Sequence, residues 1–204
     1  MPLGEAQVVA ASSLAPEDEL RAHVYGLLAR LLAGPPDREA LAAAAAMSGD
    51  ESELGKAVQT FAHLCARTDV EAAAQEYQEL FIGIGRGELV PFGSYYLTGF
   101  LNEKPLAKLR DDMARLGIER SADVNEPEDH VAALMEMMAG LIRGSFGPPA
   151  DLARQKTFFE SHIATWTGHF FADLEAAKSS VLYAALGTIG RLFVDIEETA
   201  FSMT

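Results

Sequence analysis

Residues 124–149 read VNEPEDHVAALMEMMAGLIRGSFGPP, and the apolar run inside this stretch decides the class of fold. The segment GSFGPP, residues 144–149, ends the run, because glycine and proline interrupt regular helical hydrogen bonding. The apolar residues before it recur at helical spacing, which predicts one helix with a buried inner stripe. That stripe consists of Val131, Leu134, Met135, Met138, Leu141 and Ile142.

The same helical spacing continues on both sides of this run. Pro16 followed by three acidic residues predicts a first helix start, and Asp37 and Asp69 are predicted to cap two later helices. A helix ending at Gly117 is expected before the opening stretch, and two long helices are expected after it. One of these two carries the apolar residues Phe159, Ile163, Trp166 and Phe170, and the other carries Val181, Leu186, Ile189, Phe193 and Ile196.

No segment alternates over the length of a strand, and no internal repeat is present. We therefore expect an all-α fold, with a single globular domain of seven to nine helices over residues 15–204. Residues 1–14 are expected to form a flexible N-terminal segment.

One stretch departs from the helical pattern. Residues 83–105, GIGRGELVPFGSYYLTGFLNEKP, are rich in glycine, proline and aromatic residues and show no sustained period. They predict a long loop, and loops of this length inside compact domains are usually functional. GIGRG lacks the spacing and the Lys-Ser/Thr pair of a phosphate-binding loop, so a flexible turn is the better interpretation.

Composition limits the possible partners. The formal net charge is −14, which excludes a nucleic-acid binder because phosphates would be repelled, and favours a basic partner such as a short cationic peptide. Cys65 is the only cysteine, so we expect a small core residue without a disulfide. The most apolar stretch contains Arg191 and is too short to cross a bilayer, and no signal peptide is apparent. We expect a soluble, cytoplasmic protein without stable membrane insertion.

The acidic cluster at residues 126–130 allows three interpretations. Asn125 and Glu128 have the spacing of a capping box, which would make the cluster a helix start. Glu126 and His130, four residues apart on one helix face, could with Asp129 form a polar edge that binds an arginine. A third possibility is a metal-dependent hydrolase that uses Glu126, Asp129 and His130 with His162 or His169, two histidines placed on one face of one helix. None of the five histidines follows a glutamate by three residues, so a di-iron site is not expected.

Three motifs taken together resemble a known family. EYQELFIG (76–83), VPFGSYYL (90–97) and EPEDH (126–130) occur in the order and spacing typical of the TorD/DmsD/NarJ family of molybdoenzyme maturation chaperones, also called redox enzyme maturation proteins. The resemblance extends over about residues 15–201 and includes the aromatic residues of the last two helices. The segment PFGSYYLTGFL most resembles the corresponding segment of chaperones associated with formate dehydrogenases.

This resemblance implies a chaperone without enzymatic activity or a cofactor of its own. Its partner would be the catalytic subunit of a molybdopterin oxidoreductase, often through the twin-arginine leader of the precursor, with formate dehydrogenase as the preferred client. The protein would be a monomer or a domain-swapped dimer. The contact residues implied by the three motifs are Tyr77, Leu80, Phe81, Pro91, Phe92, Ser94, Glu126, Pro127, Asp129 and His130.

Overall fold

A computed structural model describes residues 14–120 and 126–204. Ten α-helices follow one another in these two ranges, together with two π-helical turns, Gln78–Ile82 and Phe159–Ile163. The α-helices are α1 (Pro16–Leu32), α2 (Arg38–Ala45), α3 (Glu53–Cys65), α4 (Val70–Tyr77), α5 (Gly93–Thr98), α6 (Lys104–Leu116), α7 (Val131–Arg143), α8 (Leu152–Phe158), α9 (Thr167–Glu175) and α10 (Leu182–Ser202).

The central helix is α7, which the opening stretch of sequence predicted. Ten of its thirteen residues are buried, so it is apolar around most of its circumference, as expected of a helix enclosed by others. It packs most extensively against α1, while α9 and α10 form a second closely packed pair that also contacts α3. One hydrophobic core joins these helices, and Cys65 is a buried member of it, as predicted. The all-α, single-domain prediction is confirmed.

Local signals explain most helix ends. The side chains of Asp37 and Asp69 accept hydrogen bonds from the N–H groups of Ala40 and Ala72, so the two predicted caps are confirmed. Helix α6 ends at Gly117, whose left-handed conformation (φ 70°) suits a residue without a side chain.

Three predictions about local structure were wrong. The stretch 83–105 is not a continuous loop, since it contains α5 and the start of α6, and this helix raises the number of α-helices above the predicted seven to nine. The helix predicted to carry both His162 and His169 is interrupted by the second π-helical turn and residues 164–166. Helix α7 begins at Val131 with His130 as its N-cap, so Glu128 lies before the helix and does not occupy the third helical position that a capping box requires. Asn125, the other half of that predicted capping box, lies outside the described residues.

No helix in the described ranges is long and apolar enough to span a membrane. The segment predicted to be flexible, residues 1–14, falls outside the described part of the chain except for its last residue.

Candidate functional site

Two of the three family motifs contact each other in the structure, and we call the contact between residues 91–94 and 129–131 the joint. The backbones of Phe92 and His130 pair in an isolated antiparallel bridge. On either side of the bridge, the N–H of Val131 donates to the carbonyl of Pro91 (2.9 Å), and the N–H of Gly93 donates to the carbonyl of Asp129 (2.9 Å). The start of α5 is thereby held against the start of α7, which places the EPEDH motif beside residues 91–94.

The buried side chain of Asp129 stabilises this joint. Its side chain is 3% exposed, and Oδ2 accepts a 2.6 Å hydrogen bond from the N–H of Ser94. This N–H belongs to the first turn of α5, which has no capping side chain of its own, so Asp129 supplies the missing acceptor from outside the helix. Oδ1 of Asp129 and Oγ of Ser94 are buried without a hydrogen-bond partner among the described residues.

His130 is also buried and serves as the N-cap of α7. Its Nδ1 accepts a 3.1 Å hydrogen bond from the N–H of Ala132, and its ring meets the edge of Phe92 at 4.9 Å between centroids. Burial lowers the pKa of His130 to about 4, so the imidazole is neutral near pH 7. The predicted shared helix face of Glu126 and His130 was wrong, because Glu126 lies before the helix begins.

Glu128 forms an ion pair instead of a cap. Its carboxylate accepts two hydrogen bonds from the guanidinium of Arg110 on α6, at 3.0 and 2.8 Å. Burial raises the pKa of Glu128, but the hydrogen bond from Arg110, a backbone hydrogen bond and the positive charges of Arg110 and Arg120 together outweigh that effect and leave the pKa below its ordinary value. This pair ties the residues before α7 to α6.

An acidic cavity of about 270 Å³ opens on one side of the joint. Glu126 and Pro127 line it, together with two exposed glutamates that the motifs did not include, Glu119 and Glu136. Arg120 also lines the cavity and lies 3.8 Å from Oε1 of Glu128. Since Glu128 is paired with Arg110 and Arg120 and His130 is neutral, the three exposed carboxylates give the cavity mouth its negative charge. Apolar side chains complete the lining: Met113, Ile118, Met137 and Phe146. Glu136 could have been found in the sequence, because it is the only charged residue inside the apolar run of α7.

The aromatic residues of the first motif pack inward. Tyr77 and Leu80 are buried, and Phe81 is half-buried. The rings of Tyr77 and Phe81 lie 4.9 Å apart, and both contact the ring of Tyr183 on α10. Burial raises the pKa of Tyr77 to about 12, and the nearby carboxylate of Glu126 contributes to the shift. The aromatic residues of the first motif therefore belong to the core, and the effect of Glu126 on Tyr77 links this motif to the third.

The residues of the hydrolase hypothesis are not brought together. Asp129 and His130 are each committed to a backbone N–H, and His162 pairs with Asp112 on α6 at 2.8 Å. His169 is exposed on α9. Among the described residues, no group of three His, Cys, Asp or Glu side chains is arranged to hold a metal ion. This arrangement lacks the convergent ligands that metal-assisted hydrolysis requires.

The fold and the joint define a class of protein: an all-helical domain in which two sequence motifs meet at the starts of α5 and α7. A family model described as nitrate reductase delta subunit matches residues 48–172, more than half of the chain. The chain therefore belongs to this family, the TorD/DmsD/NarJ family of molybdoenzyme maturation chaperones, which confirms the resemblance noted in the sequence.

Two named relatives are similar over more than half of their length. The chaperone protein TorD of Vibrio cholerae is 27% identical over 157 residues, covering 71% of each chain. A Haemophilus influenzae protein named "Probable Tat proofreading chaperone DmsD" is 31% identical over 117 residues, covering 56% of this chain and 55% of its own. The solved structure of a candidate redox enzyme maturation protein from Archaeoglobus fulgidus superposes with a TM-score of 0.56 at 20% identity, covering 93% of this chain and 99% of that one, which shows the shared fold.

Proposed function

We propose that this protein is a cytoplasmic chaperone that binds the precursor of a molybdopterin oxidoreductase catalytic subunit, through the twin-arginine leader, before export or assembly. The relatives named TorD and DmsD support the chaperone role. The observation that carries leader binding is the acidic cavity beside the joint, where three exposed glutamates surround an apolar floor.

The chemistry of this cavity suits a segment that is both basic and apolar. An arginine guanidinium can form paired hydrogen bonds with the carboxylates of Glu126 and Glu136. The apolar residues that follow the arginines in a leader would contact Met113, Ile118 and Met137. The net charge of −14 would also accelerate the approach of a cationic peptide.

The buried members of the implied contact set would act indirectly. Asp129, His130 and Ser94 are almost fully buried, so in this conformation they would hold the cavity wall in place and leave direct contact to Glu126 and Pro127. Tyr77, Leu80 and Phe81 would likewise act indirectly, through core packing, while Pro91 and Phe92 fix the position of His130.

Binding of synthetic leader peptides to the purified protein, measured by calorimetry, tests this proposal. Leaders of molybdoenzyme catalytic subunits are the probes, with that of a formate dehydrogenase first, because formate dehydrogenase is the proposed client. The double variant Glu126→Gln/Glu136→Gln should weaken binding about tenfold, since the glutamine oxygens still accept hydrogen bonds but no longer carry the negative charge that strengthens them.

The matched control is Glu19→Gln/Glu198→Gln, which removes the same charge at exposed positions on α1 and α10. Its affinity should stay within twofold of the unmodified protein. If no leader and no precursor of any molybdoenzyme binds, the proposal is wrong; if only other leaders bind, formate dehydrogenase is not the client.

A further inference from the structure

A groove lies on the other side of the joint from the acidic cavity, and its lip carries positive charge. It has a volume of about 470 Å³ and runs between α5, α6 and the segment from the second π-helical turn to α9. Leu97, Leu109 and Trp166 form apolar walls, and Lys104 and Lys108 line one lip. Asp129 belongs to this groove, whereas Glu126, Pro127 and His130 belong to the acidic cavity, so the EPEDH motif separates the two.

Lys104 and Lys108 give this lip a local positive charge. They lie one helical turn apart on α6, both are exposed, and neither pairs with a carboxylate in the part of the chain that the structure describes. The protein has 30 acidic residues against 16 lysines and arginines, yet this lip carries two unpaired cations. A partner that supplies carboxylates would therefore find complementary charge here.

Exposed apolar side chains adjoin the same lip. Leu97 is 45% exposed, and in the turn between α5 and α6 Phe100 is 69% and Leu101 is 46% exposed. Large apolar side chains grouped beside a groove usually mark a surface that binds another molecule. The turn thus extends the apolar wall outward from the groove.

A second cavity adjoins the groove. It has a volume of about 340 Å³, shares His162 with the groove and is lined by residues of α6 and α8, among them Arg115 and Arg154. A concave and largely apolar depression favours side-chain insertion by a peptide over contact with a flat bilayer.

We propose that this groove binds a protein segment that carries both apolar and acidic side chains. Apolar side chains enter the groove against Leu97 and Trp166, and carboxylates on the same segment meet Lys104 and Lys108 at the lip. The buried carboxylate of Asp129 repels negative charge at the groove floor, which fixes this orientation of the segment. The surface is separate from the acidic cavity, and its function does not require leader binding.

A synthetic helical peptide of leucine and glutamate is the probe. Binding of such a peptide to a protein of net charge −14 opposes the overall electrostatic field, so it requires a local site. Trp166 is the only tryptophan and lines the groove, so its fluorescence reports occupancy without a label. We expect a saturable change in Trp166 emission with the leucine–glutamate peptide, and none with a serine–glutamate peptide of the same charge.

Lys104→Glu/Lys108→Glu should weaken binding at least tenfold, and Leu97→Asp should do the same without altering either lysine. Lys56→Glu/Lys178→Glu, an equal charge change at exposed positions elsewhere, should leave the affinity within twofold. If the double glutamate variant unfolds by circular dichroism, Lys104→Gln/Lys108→Gln replaces it, with at least a fivefold loss expected.

Four outcomes would overturn the proposal. One is the absence of any change in Trp166 emission, and another is equal affinity of the lysine variants and their control. In the third, the protein binds phosphatidylglycerol vesicles but not the peptide, and the lysine variants lose the vesicle binding. The surface would then be a membrane contact. The last is a dimer that the lysine variants dissociate while the peptide does not bind, since the occupant would then be a second copy of the chain.

Leader binding is measured separately. Glu126→Gln/Glu136→Gln should leave the affinity for the leucine–glutamate peptide unchanged, because those residues line the other cavity. Failure at one surface is therefore distinguishable from failure at the other.

Discussion

The backbone N–H of Ser94 donates a 2.6 Å hydrogen bond to Oδ2 of Asp129, across a sequence separation of 35 residues. Both residues are buried, so this bond joins two sequence motifs inside the protein and away from its surface. The joint places the acidic cavity on one side of the EPEDH motif and the lysine-lined groove on the other. Ser94 and Asp129, which the family resemblance implies as contact residues, are therefore buried residues that hold the two motifs together.

Replacement of Asp129 by alanine should destabilise the protein by about 1–3 kcal/mol, because the buried N–H of Ser94 then loses its hydrogen-bond acceptor. Urea unfolding at neutral pH measures the change. Asp111→Ala on the exposed face of α6 is the matched control and should stay within about 0.5 kcal/mol. Equal losses in the two variants would show that the Ser94–Asp129 bond does not stabilise the fold.

Acid should destabilise the protein through His130. The folded-state pKa of His130 is about 4, below the unfolded value of 6.5, so the unfolded state binds the proton first as the pH falls. The stability contributed by the neutral ring is complete above pH 6.5 and declines toward pH 4, by about 3 kcal/mol in all.

His130→Asn isolates this effect, because asparagine also caps a helix start but does not titrate. The difference in unfolding free energy between the two proteins should vary with pH between 6.5 and 4. A constant difference over that range would mean that His130 titrates normally. Burial also lowers the pKa of His162, despite its hydrogen bond to Asp112, so both proteins should retain some loss of stability in acid.

Glu197 should be important for holding α10 against α1. It is 1% exposed on α10 and accepts hydrogen bonds from Arg21 at 2.7 and 2.8 Å and from the hydroxyl of Tyr25 at 2.8 Å, both on α1. Glu197→Ala leaves a partly buried arginine without this partner and should cost about 3–5 kcal/mol. The neighbouring exposed residue provides the control Glu198→Ala, and thermal or urea unfolding should show little change for it.

Close packing of α10 on the end of α9 should make Gly187 intolerant of a side chain. A Cβ atom at Gly187 would lie 2.5 Å from the backbone nitrogen of Glu175, which cannot move independently of α9. Gly187→Ala should therefore destabilise the protein by about 1–3 kcal/mol. At Gly168 a Cβ would meet nothing within 4 Å, so Gly168→Ala should be neutral or stabilise by about 0.5 kcal/mol. Similar unfolding midpoints for the two variants would contradict this packing.

Much of the fold was predictable because its signals are local. Apolar periodicity identified α7, and the aspartates at positions 37 and 69 identified two helix starts by capping chemistry that operates within four residues. Helix α5 was missed, since its first turn is satisfied by the distant Asp129 rather than by a cap in its own sequence. The break between His162 and His169 was also missed, because apolar periodicity alone does not reveal a π-helical turn.

The sequence by itself determined the all-helical class, the central helix and the three motifs that identify the family. Only the tertiary structure decided which members of EPEDH are exposed. Glu126 remains at the surface, whereas Glu128 is drawn to Arg110, Asp129 to Ser94, and His130 to the start of α7. The physical reason is that an ionisable side chain is buried only where a partner offsets its loss of hydration, and two of these partners come from distant parts of the chain.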